Sequence, residues 1–259
     1  MQILLYLIVA ASYAAVALTS KPEHAFQRHA ILVPLALHAV LLYSSIATPA
    51  GFDLGVANSV SAIAWMTALM YWLGALWYPL ATLHRLVALL AAVCALFPLI
   101  LPAGAPIPVS ERFAFKIHLV IAILAYGLFT IAALQALLMT LMERRLHGHE
   151  LTAGMQHMPP LLTMEKFLFQ IITAGFSLLT LTLLSGMVFS EELFGRPLAF
   201  THKVVFAIVS WFIFAILLAG RFVYGWRGKT ALRWVLAGFV ALVLAYLGSK
   251  FVLEIILRQ

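Results

Sequence analysis

Apolar residues run through this chain in long, almost unbroken stretches separated by short polar ones. They show neither the three-four spacing of a soluble amphipathic helix nor the alternation of a half-buried strand. A helix rises 1.5 Å per residue, so about 20 apolar residues cross the roughly 30 Å hydrocarbon core of a bilayer. Eight stretches approach that length, at 3–19, 29–47, 57–77, 84–102, 113–141, 167–189, 200–220 and 231–253. The longest polar connection is "MERRLHGHELTAGMQHMPPLLTMEK" at 142–166, too short for a soluble domain. The pattern predicts an all-α, polytopic membrane helix bundle of about eight transmembrane helices, one membrane domain over 1–259. Nothing basic precedes the apolar part of the first stretch, so it is read as a membrane helix and not as a cleavable signal.

Composition agrees: 64% of the 259 residues are hydrophobic and 10% charged, where soluble domains are about a quarter charged. The net charge of +7 is spread through the loops, so membrane lipid and not nucleic acid is the expected surrounding. Ten of the 16 Lys and Arg fall in the odd-numbered loops. By the positive-inside rule this puts those loops in the cytoplasm and both termini outside, with Trp72, Trp77, Tyr78, Trp226 and Trp234 in an inner aromatic belt. Cys94 is the lone cysteine and no CxxCH motif is present, so the chain is not itself a c-type cytochrome.

Catalytic signatures are missing. There is no GxSxG, P-loop or GxGxxG, and "HGHE" with "MQHM" lacks the HExxH spacing of a zinc site. No catalytic residues are assigned, and the chain is not expected to be an enzyme. All nine carboxylates lie in loops or at span ends, which disfavours a proton-coupled small-solute or ion transporter. A b-type-like membrane electron carrier is the other alternative.

The histidines carry the candidate chemistry. His24, His29 and His84 are expected at the cytoplasmic interface and His147, His149 and His157 in the long loop, all solvated. His38 lies nine residues into the second span, roughly 13 Å along it. A polar group there must find a hydrogen-bond partner or a ligand. His118 and His202 open the fifth and seventh spans, both at the outer face, so two imidazoles share one depth. His202 beside Lys203 reads as an interfacial anchor or as a donor. From His118 a stripe of 122, 125, 129, 132 and 136 reads Ala, Ala, Phe, Ala, Ala. Such a stripe admits a neighbouring helix, or a flat apolar ligand such as haem below an axial imidazole.

Four stretches resemble a known family: "FDLGVANSVSAIAW" (52–65), "KIHLVIAILAYGLFTIAALQALL" (116–138), "MPPLLTMEKFLFQIITAGFSLLTLTLLSG" (158–186) and "VSWFIFAILLAGRFVYGWRGKTALRWVLAGFVALVLAYLGSK" (209–250). They resemble the CcsA-like cytochrome c assembly proteins of bacterial inner membranes, and within them the short YpjD-type branch. The core of the resemblance runs over about 52–250, and "GRFVYGWRGK" is its most specific piece. It implies a haem-binding membrane protein of cytochrome c assembly, with non-covalent b-type haem as cofactor and other cytochrome c maturation proteins as partners. It also implies that His118 is an outer haem-iron ligand, and that His38 matches a histidine of an early membrane helix.

The chain departs from the full assembly proteins in three places. Where they carry a tryptophan-rich, haem-presenting loop ending in WDPKE, this chain reads "SEELFGRPLAFTHK", with Lys203 aligned to the motif lysine and His202 in place of its proline. The histidine of "LHxR" becomes Ala219, and a further outer histidine beyond the last span is absent. These changes imply an accessory role. At the same depth as His118, His202 is the candidate replacement for the second axial iron ligand.

Overall fold

The computed structural model describes residues 2–19, 25–49, 51–101, 104, 113–147, 159–194 and 202–248. Its helices are α1 (Gln2–Thr19), α2 (Ala25–Arg28), α3 (Leu32–Ile46), α4 (Val56–Gly74), α5 (Ala81–Ala95), α6 (Phe97–Ile100), α7 (Phe113–His147), α8 (Leu161–Phe194), α9 (His202–Tyr224) and α10 (Gly228–Val243). A 3-10 turn, His29–Ile31, leads into α3, and a π turn, Leu244–Gly248, follows α10. Two-residue strands β1 (Ala47–Thr48) and β2 (Gly51–Phe52) pair antiparallel, Ala47 opposite Phe52. Among the described residues eight helical segments are long and apolar enough to cross a membrane, so the chain is an all-α, multi-pass membrane protein.

The eight apolar stretches and the eight spanning segments correspond one to one. The ends differ where a helix continues past its apolar run. The sixth opens at Leu161, ahead of the expected 167, and the eighth at Gly228, ahead of 231. Backbone hydrogen bonding, not hydropathy, sets a helix end, and polar residues such as Glu165 and Lys166 continue the ladder into the interface.

The fold divides into two compact units, Met1–Gly127 with Tyr246–Gln259, and Leu128–Ala245. In the first, α1 packs on α5 and α3, and α4 on α5 and α3. The contact face of α5 is built from small residues: Ala88, Ala91 and Ala95 are fully buried, as are Val9 and Tyr13 on α1. Lipid tails are as apolar as the side chains, so helices hold together through close packing and polar contacts. Beyond the β1–β2 hairpin, the Asp53 carboxylate accepts the backbone N–H of Gly55 (2.9 Å) and of Gly104 (3.2 Å). A Cβ built on Gly55 would lie 2.7 Å from the Gly104 nitrogen, so the two backbones meet where only glycine fits.

In the second unit α9 and α10 form a hairpin whose turn uses positive φ at Gly225 (67°) and Gly228 (53°). Trp226 folds back over α9: its backbone N–H donates to the Gly220 carbonyl at 3.1 Å, and a Cβ on Gly220 would collide with the indole ring. Ser210 Oγ donates to the Gly238 carbonyl at 2.9 Å, tying α9 to α10. Phe129 and Phe214 stack with centroids 4.0 Å apart, and Phe129 also fills the space beside Gly175.

Candidate functional site

His38 on α3 is fully buried. Its Nε2 lies 2.9 Å from Ser61 Oγ on α4, and its Nδ1 lies 3.4 Å from the Tyr13 hydroxyl on α1. The Tyr13 and His38 rings meet edge to face, centroids 5.6 Å apart. Both partners are hydroxyls that donate or accept, so either imidazole tautomer is satisfied, and burial of the ring costs little. Three helices of the first unit are joined at this node. Ligation of a metal by His38 would displace Ser61 or Tyr13.

A second buried histidine corrects the expectation of solvation. His84 is 1% exposed, in the first turn of α5, and its Nδ1 lies 3.2 Å from the Tyr71 hydroxyl. Its position at the edge of an apolar run fixed its depth but not its direction, and α5 turns that face toward the packed interior. His29 is half-buried and accepts the Trp72 indole N–H at 3.1 Å. His24, His149 and His157 lie outside the described residues, and of the His147 side chain nothing is described.

His118, in the first unit, is half-buried near the start of α7, with half-buried Ala122 and buried Ala125 following on its face of the helix. Further along, Phe129, Ala132 and Ala136 are fully buried in the second unit. There the Phe129–Phe214 stack fills the slot that small residues leave, so that part of the stripe serves helix packing. His202 is exposed at the first position of α9, in the second unit.

The unanticipated feature is an ion pair. Arg221 Nη1 donates to Glu165 Oε1 at 2.7 Å and to the Trp226 carbonyl at 3.2 Å, while its guanidinium lies 4.5 Å from the Phe169 ring centroid. Arg227 Nε approaches the same carboxylate at 3.9 Å. Glu165 had been placed in a loop; it is buried within α8. The signal was available as "EK" ahead of one apolar run and "GR" after another, opposite charges expected at one membrane interface.

For a haem these residues fit unequally. A haem iron takes an imidazole nitrogen as donor, and His118 is a half-buried imidazole on the face of α7 that the small residues Ala122 and Ala125 continue. His38 has both nitrogens occupied, and His202 offers an exposed ring. Among the described residues no three His, Cys, Asp or Glu gather into a site for a bare metal ion.

The comparison with known families decides the class. The model described as "Cytochrome C assembly protein" matches residues 4–257. The chain belongs to the cytochrome c assembly protein family. The chain is 37% identical over 140 residues to the inner membrane protein YpjD of Escherichia coli (strain K12), covering 54% of this chain and 52% of that protein. It is 30% identical over 174 residues to an "Uncharacterized 28.8 kDa protein in nifR3-like 5'region" of Azospirillum brasilense, covering 62% of this chain and 64% of that one. It is also 30% identical over 92 residues to the cytochrome c biogenesis protein CcsA of Gloeobacter violaceus, over 36% of this chain and 27% of CcsA. The match thus spans about half the length of the YpjD relative. The CcsA-like resemblance of the sequence is borne out.

Proposed function

We propose that this cytochrome c assembly family member is a haem-binding protein of the bacterial inner membrane that serves cytochrome c biogenesis as an accessory factor. The observation that carries the reading is the family match over 4–257 together with His118, a half-buried imidazole above the small residues of α7. Haem, when bound, would supply an iron that takes imidazole nitrogens as donors. On this reading His118 would give the iron one nitrogen, with the small residues Ala122 and Ala125 on its face of α7, and His202 would be a separate candidate donor. The His38 node would hold α1, α3 and α4 together and would have to release Ser61 or Tyr13 to contact the cofactor directly. No covalent step is assigned to the chain. Its partners are haem and the cytochrome c maturation proteins that receive it.

The test is a haem titration of the full chain in detergent, followed by absorption of the Soret band. Wild type is expected to bind stoichiometrically, His118→Ala about tenfold or more weakly, and His38→Phe like wild type. A His202→Ala spectrum equal to wild type removes His202 from the pair but leaves His118. Absence of binding by wild type overturns the reading. In cells lacking the protein, unchanged c-type cytochrome content by haem staining overturns the biogenesis role.

A further inference from the structure

We infer that the second unit holds a binding site for the headgroup of an anionic phospholipid, at the end where α8 begins and α9 ends. An open cavity of about 500 Å³ lies there, lined by Lys166, Phe169, Gln170, Thr173, Ala174 and Arg221. Lys166, Gln170, Thr173 and Ala174 are exposed, and their spacing along α8 puts them on one side of the helix. The lining therefore grades from charged to amide to small and apolar as it leaves the helix start, the order of chemistry met from phosphate through ester to acyl chain in a glycerophospholipid. Thr173 returns its hydroxyl to the Phe169 carbonyl at 2.8 Å, so it leaves no unmet hydrogen bond toward the chain of a lipid.

Charge selects the occupant. Among the lining residues Lys166 and Arg221 are cations and none is an acid. Glu165 is committed to Arg221 and Arg227, and among the described residues Lys166 has no carboxylate within ion-pair reach. Arg221 is held in place by Glu165, the Trp226 carbonyl and the Phe169 ring, so its charge is fixed before any ligand arrives. A net positive, pre-set headgroup pocket over an apolar strip suits a phosphodiester lipid without a compensating ammonium; a zwitterionic headgroup would bring its own cation against Lys166.

Native mass spectrometry of the full chain, offered phosphatidylglycerol and phosphatidylcholine of matched chains in equal parts, tests this. Wild type is expected to retain phosphatidylglycerol selectively, Lys166→Gln to reduce the preference about fivefold, and Lys166→Arg to restore it. Lys229→Gln, which removes a cation outside the cavity lining, should leave it within about twofold. Inorganic phosphate in large excess should not displace the lipid. Equal retention of both lipids by wild type, an unchanged preference in Lys166→Gln, an equal loss in Lys229→Gln, or displacement by phosphate overturns the assignment.

Discussion

The imidazole of His38 and the hydroxyl of Ser61 lie 2.9 Å apart on two different helices, deep in the first unit. Ser61→Ala leaves one buried ring nitrogen without its partner while removing little volume. We expect a loss of about 1–3 kcal/mol, read as a lower midpoint of thermal unfolding in detergent. The double variant His38→Ala/Ser61→Ala is expected to cost less than the sum of the two single variants, because each single change already breaks the same contact. Additive losses would show that the pair is not coupled.

Arg221 and Glu165 make the second prediction. Truncating one partner strands the other in a site where each is largely enclosed, and Arg221→Met or Glu165→Gln alone should destabilise by about 3–5 kcal/mol. The double variant should recover part of that loss. A thermodynamic cycle on the four proteins measures the coupling, and a coupling near zero would mean that Trp226 and Phe169, not the carboxylate, hold the guanidinium.

Gly220 gives a packing test. Alanine there drives a methyl group into the Trp226 ring, and forced overpacking costs about 1–3 kcal/mol. Gly220→Ala should unfold at lower temperature, and Gly220→Ala with Trp226→Leu should regain most of the loss because the obstructing ring is gone.

Gly225 differs in kind, since nothing lies near its Cβ position while its φ is 67°. Gly225→Ala should cost about 1 kcal/mol through backbone strain alone, with no rescue from Trp226→Leu. Comparison of the two glycine variants in the same unfolding assay separates steric from conformational origins.

The sequence made the helices legible because a bilayer imposes length and hydropathy together. Eight runs gave eight spans, and the family resemblance stood. Less legible were the directions that side chains take around each helix. The runs are apolar on every side, so the usual contrast between wet and dry faces is missing, and His84 at a span edge looked the same as a solvated residue. Glu165 was missed for the converse reason: a charge is read as a loop until its partner is found, and Arg221 lies 56 residues away. His38 falls in mid-helix on α3, as the pattern has it, yet Tyr13 and Ser61 carry no pattern that marks them as its partners.

The stacked rings of Phe129 and Phe214 have one consequence for how this scaffold changes. They occupy the space between α7 and α9 within the second unit, and the Phe129 ring lies where a side chain at Gly175 would go. A larger residue at Gly175 or Gly238 would therefore need one of these rings to shrink first, since Phe214 crowds the Gly238 position as Phe129 does that of Gly175.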